Sequence, residues 1–135
     1  MTSAARFVHV DGFHRGVPYA YAASVPPGAR TVHLAGACPI DTDGHVVAPG
    51  DVVAQASACI DTMRIVLAAA DADLEDVVFV RALVASADRA ELAAVWAVVH
   101  EAFGDRVPPG TLLGVTVLGW PGQLVELEAV AAVVD

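Results

Sequence analysis

Apolar positions recur along this chain at two spacings, and each spacing predicts an element. Between Asp51 and Asp73, the residues Val52, Ala56, Cys59, Met63, Val66 and Ala70 return every three or four positions, which is one apolar face of a helix. A second helix opens at Asp88, with Leu92, Val95, Val99 and Phe103 on its inner face and Gly104 as its stop. Asp88 and Glu91 have capping-box spacing, although the usual first residue of that box is Ser or Thr. The other apolar runs read as strands: Arg6 to Val10, Tyr19 to Val25, Thr31 to Ala35, Val77 to Val84, Thr111 to Val117 and Leu124 to Val134. Pro26, Pro27 and Gly28 stop the second strand, and PPGAR is expected to close a hairpin with the third. Strand, strand, strand, helix, strand, helix, strand, strand predicts an α+β domain: one mixed six-stranded sheet with two helices on one face. The other sheet face still carries apolar side chains, and covering it by self-association predicts a homo-oligomer.

The last strand carries the first suspects for chemistry. Side chains alternate along a strand, so Glu126 and Glu128 point one way while Val125, Leu127 and Ala129 point the other. Carboxylates in an otherwise buried strand are costly unless they face water, a partner or a site. Before it, Leu118 to Gln123 carries turn chemistry. Gly36, Ala37, Cys38 and Pro39 end the third strand, and small residues there permit close approach by a ligand or another chain. The backbone of Gly36 to Cys38 is expected to form a groove wall. Cys38 invites a nucleophile reading, but no His stands nearby in sequence, and a small buried thiol is the commoner outcome.

Composition narrows the classes. A chain of 135 residues makes one domain, 1–135, with a real core. No apolar run reaches the length of a membrane span, and the N-terminus lacks a signal-peptide core, so a soluble, cytoplasmic protein is expected. Cys38 and Cys59 give no disulfide framework or zinc spacing, and His9, His14, His33, His45 and His100 give no metal-ligand spacing, so neither metal nor cofactor is expected. The net charge is -9, and the seven cations are all Arg, spread from Arg6 to Arg106, which argues against a nucleic-acid partner. A chain rich in Ala, Val and Arg without Lys suggests a high-GC bacterium.

Several stretches, in order and spacing, resemble the RidA (YjgF) family of enamine/imine deaminases. They are Pro18-Tyr19, AGACPID at Ala35 to Asp41 (the family's SGQIPxD), PGDVVAQ at Pro49 to Gln55, LEDVVFVRALVASADR at Leu74 to Arg89, and VELEAVA at Val125 to Ala131 (its IEIEAIA). The resemblance implies a chorismate-mutase-like α+β fold, a homotrimer, and small-molecule sites in the clefts between subunits. It places Glu126 and Tyr19 on the family's pocket Glu and Tyr. Glu126 would orient a water or shuttle protons, and Tyr19 would close the pocket or donate a hydrogen bond. Gly36, Ala37, Cys38, Trp96, Gly110, Thr111 and Leu112 would line the substrate.

The departures shift the expected substrate. The family's carboxylate-gripping Arg, in a PPARS-like segment, falls here on Gly110, Thr111 or Leu112, and no Arg follows Val107. A pocket Asn falls on Trp96, more often core or interface filler, and a strand Ser falls on Ala35. The chain thus resembles a non-Arg branch. The expected activity is hydrolysis of imines or enamines less anionic than 2-aminoacrylate. The alternatives are a specialised-metabolism isomerase, cyclase or hydrolase, and a non-catalytic metabolite-binding trimer. A ribonuclease label, attached to some members, fits poorly with the charge. Arg6, Arg15, Arg30 and Arg106 are candidates to replace the missing guanidinium. Glu128 is expected to be structural, paired with Arg81.

Overall fold

The computed structural model describes residues 4–14 and 16–135. Its elements are β1 (Arg6–Val8), β2 (Ala22–Ser24), β3 (Arg30–His33), α1 (Val52–Ala69), β4 (Val77–Val84), α2 (Arg89–Phe103), β5 (Gly110–Gly114) and β6 (Val125–Val133), with a 3-10 turn at Leu74–Asp76. Every expected element forms, but the pairing differs from one six-stranded sheet. The described strands make a four-stranded sheet in the order β3-β6-β4-β5 and a separate β1-β2 pair. Only β4 and β5 run parallel in the larger sheet.

The expected PPGAR hairpin does not form as a ladder. Phe7 pairs with Ala23 across β1 and β2, whereas β3 pairs with β6, Val32 opposite Ala131. Pro26 and Pro27 bring no N–H to a ladder where such a hairpin would extend. Upstream, the Ala20 N–H is taken by the Val107 carbonyl at 3.0 Å, which draws this segment toward the start of β5. Likewise β5 stops at Gly114 rather than Val117, and Val117 is 76% exposed.

The core lies between the helices and one sheet face. Ala56, Cys59, Met63 and Leu67 of α1 are fully buried, as are Val80, Ala82, Val84, Leu127 and Ala131 of the sheet. Val66, assigned to the inner face by spacing, is instead exposed, and Ile60 and Leu67 take the inward places. The helix also ends earlier than Asp73, since Asp71 adopts a left-handed φ of 56°. Contrary to the expectation from apolar runs, α1 is long and apolar enough by length and composition to cross a membrane. Here its apolar face packs on the sheet.

Asp51 and Asp88 cap the two helices by accepting from Ala54 N and Ala90 N. The capping box at Asp88 is not made. Its N–H goes to Ser86 Oγ at 3.0 Å, and that hydroxyl donates to Glu91 at 2.7 Å. Arg30 closes the far end of α1. Nη1 and Nη2 donate to the Ala70 and Asp71 carbonyls at 2.9 and 3.1 Å, while Nε and Nη2 hold both carboxylate oxygens of Asp135. One side chain thereby ties the β3 edge, the helix end and the chain end together.

The opposite sheet face carries Phe79, Arg81 and Leu83 of β4, Glu126, Glu128 and Val130 of β6, and Thr111 and Leu113 of β5. Among the described residues, no helix lies over it.

Arg30→Ala should lower the melting temperature by a few degrees without changing the circular dichroism of the fold. The Arg30 hydrogen bond holds Asp135 below the ordinary Asp value. The wild-type advantage should therefore be complete above about pH 4, the unfolded Asp value, and fade as pH falls through the depressed folded value. An advantage that persisted unchanged through that acid range would contradict the assignment.

Candidate functional site

The site is built around one carboxylate. Glu126 stands on β6 between Val125 and Leu127, both fully buried, so alternation turns its side chain to the open face. The segment after β3 is brought against it by an irregular ladder. Leu34 N–H bonds the Ala129 carbonyl at 3.1 Å, and Ala37 exchanges two bonds with Leu127, at 2.7 and 3.1 Å. Three residues advance on one side while two advance on the other, so the chain bulges at Ala35 and Gly36. A Cβ placed on Gly36 would lie 2.5 Å from Glu126 Oε2. A side chain at Gly36 would push the Glu126 carboxylate from this position, so the glycine serves close approach rather than an unusual φ.

Two donors meet at Oε1. The Cys38 thiol lies 3.2 Å away and the Gln123 amide Nε2 lies 3.3 Å away. Burial, then the hydrogen bond to Glu126 and its negative charge, pushes the Cys38 thiol up to about 11, with Gln123 pulling slightly the other way. Cys38 is therefore a protonated donor at neutral pH, and the nucleophile reading loses its physical basis. Cys59, on α1 beneath the strand, is pushed to about 12, chiefly by burial.

Sequence reasoning missed Gln123. It is almost fully buried, its Nε2 also donates to the Val125 carbonyl at 3.0 Å, and its Oε1 accepts from Trp120 N at 3.1 Å. Its one sequence signal is an amide closing a Gly-Pro turn directly before an apolar strand. Gln55, fully buried on α1, fixes the same loop from the other side. It accepts from Leu124 N at 2.8 Å and donates to the Ala48 and Gly122 carbonyls, each at 3.3 Å.

The remaining expected residues fall into other groups. The ring contacts of Tyr19 are with Trp96, edge-on at 6.3 Å, and with Tyr21 at 6.0 Å, not with Glu126. Trp96 also packs against the core. Of the three positions that could match the missing Arg, Gly110 lies against the Val80 carbonyl with no room for a Cβ, and Leu112 packs against the core. Only Thr111 offers a side chain to the open face. Its Oγ1 accepts from Arg81 Nε at 3.4 Å, and Arg81 Nη1 lies 3.5 Å from Glu128 Oε2, the pairing expected from sequence. Arg81, which also lies over the Phe79 ring, thus brings a guanidinium to this face, and it was not among the sequence candidates. Arg30 is committed to α1 and Asp135, and Arg106 to the Ala5 carbonyl and the Phe7 ring. Arg6 is exposed on β1, and Arg15 lies outside the described residues.

On the DTDG turn, Asp41, Asp43 and His45 present ligand-type atoms within 4.8 Å of one another, a grouping that sequence spacing did not indicate. All three are exposed, and Asp41 Oδ1 already accepts the N–H groups of Asp43 and His45.

Alkylation of Cys38 by iodoacetamide should be slow at neutral pH and accelerate only as pH nears 11, where the thiolate forms. Glu126→Gln removes the negative charge and should shift that acceleration to lower pH. A fast reaction at pH 7, or a profile indifferent to Glu126→Gln, would break this account. Mass spectrometry of the modified peptide separates Cys38 from Cys59.

Residues 17–133 match the sequence model of the endoribonuclease L-PSP family. Protein DfrA of Myxococcus xanthus is 32% identical over 129 residues, covering 95% of each chain. Among solved structures, YyfB of Yersinia pestis, described as a protein of unknown function in the conserved Rid family, aligns with a TM-score of 0.87 at 29% identity, over 96% of this chain and 99% of that one. A Mycobacterium tuberculosis member of the YjgF/YER057c/UK114 family is 32% identical with a TM-score of 0.64, over 96% and 99% of the two chains. A match over nearly the whole length, joined to the shared fold, means that the chain belongs to the endoribonuclease L-PSP family, the YjgF/RidA proteins.

Proposed function

We propose that the protein hydrolyses an imine, or the imine tautomer of an enamine, to a carbonyl compound and ammonia. The observation that carries this reading is Glu126. It is a carboxylate on an open sheet face, bonded to two neutral donors, and among the described residues it has no ion-pair partner. Its free oxygen can accept a proton from water as that water adds to the C=N carbon. The proton passes to the nitrogen, and ammonia leaves as the carbonyl forms. Glu128, in contrast, is set against Arg81 and carries no comparable freedom.

The substrate class follows from the cations. A substrate α-carboxylate is best gripped by a guanidinium fork, and Thr111 supplies only a hydroxyl. The nearby Arg81 charge is already countered by Glu128. Imines without an α-carboxylate are therefore the favoured substrates.

The working form is a homotrimer, with the open face covered by other copies of the chain. Phe79, Leu83, Leu113 and Val130 on that face support this. Within one chain the Tyr19 ring meets Trp96 and not Glu126, so a site that uses both Tyr19 and Glu126 would draw them from two copies.

Two imines generated in place, one by an amine oxidase and one by an amino-acid oxidase, test the activity. Carbonyl release from the uncharged imine should be accelerated, and Glu126→Ala should cost at least about 100-fold. The carboxylated imine should respond weakly. A wild-type protein inert across a panel of imines would overturn the deaminase reading in favour of binding without turnover. Sedimentation velocity tests the assembly. The wild type should run at three times the 13.8 kDa chain mass, and Leu113→Glu should shift it toward the monomer.

A further inference from the structure

We infer that Cys38 and Gln123 are positioning residues that occupy Oε1 of Glu126 and leave Oε2 as the oxygen that takes the proton from water. The inference rests on Glu126 being the base, and it names which atom works and what aims it. A carboxylate oxygen has about two in-plane acceptor positions. At Oε1 both are taken, by the thiol at 3.2 Å and the amide at 3.3 Å. Oε2 lies against Gly36, in the space that a side chain there would fill, and no donor among the described residues bonds it.

Each donor is itself held. Gln123 cannot turn its amide without releasing the Val125 carbonyl at 3.0 Å and the Trp120 N–H at 3.1 Å. Cys38 follows directly after Ala37, whose two backbone bonds to Leu127 fix its place. The thiol remains a donor as long as it keeps its proton, and its value of about 11 preserves that across the working range. The other titratable groups around the carboxylate are few. Glu128 and Arg81 lie further along the same face, paired with each other, and Cys59 lies beneath with its thiol toward the Val125 carbonyl at 3.7 Å. None of them bonds Oε1, so the two positioning residues share the task alone among the described residues.

The arrangement makes the two carboxylate oxygens unequal. A carboxylate free to spin presents either oxygen to water, and part of the time neither is aligned. Pinning one oxygen by neutral donors fixes the plane of the other without adding a cation that would quench its basicity. It also couples the base to the loop before β6, because Gln123 belongs to that loop.

The test uses the full chain and two readouts. Cys38→Ala should lower kcat on the uncharged imine about tenfold with KM unchanged, since an aimed base acts in the transition state and not in binding. Cys38→Ser, which keeps a donor, should restore kcat to within about threefold of wild type. Gln123→Met should lower kcat in the same sense as Cys38→Ala. Independently, the infrared S–H stretch of Cys38 should lie at the frequency of a thiol bonded to a carboxylate and move to higher frequency in Glu126→Ala, where the Gly36 carbonyl at 3.6 Å is the weaker acceptor that remains. Full kcat in Cys38→Ala, or an S–H band unmoved by Glu126→Ala, overturns the inference while the Glu126 reading stands. A wild type that turns over no imine, with the S–H band still coupled to Glu126, refutes the hydrolase reading and this inference with it.

Discussion

Two backbone hydrogen bonds between Ala37 and Leu127 set the geometry on which the site depends. They fasten the segment after β3 to the middle of β6, one residue out of step with the ladder above. That offset puts the glycine, and not a side-chain-bearing residue, across from Glu126, and delivers the Cys38 thiol to its edge. Had the ladder continued in register from Leu34, the carboxylate would face an ordinary strand neighbour. The bulge thus sets glycine backbone, and not a side chain, against the one acid.

The neutral amides complete the construction. Gln55 reaches from the helix layer and Gln123 from within the turn, and both sit at less than a tenth of full exposure. Each bonds backbone groups of the turn from Leu118 to Leu124 in part-buried positions. An ion at either position would carry a desolvation cost that the amide avoids. The core therefore communicates with the carboxylate through uncharged hydrogen bonds, which do not respond to ordinary changes in pH.

Much of the fold was legible because burial repeats. The helical stripe from Val52 to Met63, the alternation along β6, and the facing of Arg81 to Glu128 all follow from periods of 3.6 and 2. Pairing partners were less legible, since hydropathy marks a strand as buried without saying which strand lies beside it. The β2 segment, with weakly alternating Ala and Tyr, could be read toward either neighbour. Glu126 stood out as a charge in an apolar run, but Gln123 and Gln55 did not, because an isolated amide has no periodic signature. The position of the missing Arg was ambiguous by one residue either way. Contacts show only that Gly110, against the Val80 carbonyl, and Leu112, packed inward, have no side chain on the open face, whereas Thr111 does.

The row Thr111, Arg81 and Glu128 crosses three neighbouring strands as a polar stripe between the apolar residues Phe79 and Leu83. A surface that came to rest on this face would have to meet that stripe with matching donors and acceptors, or bury a guanidinium and a carboxylate at a cost of several kcal/mol. Apolar contact alone tolerates sliding and rotation, and the stripe does not. It acts as a key: of the many ways to press two greasy sheets together, it leaves only the orientations in which the ions keep their company.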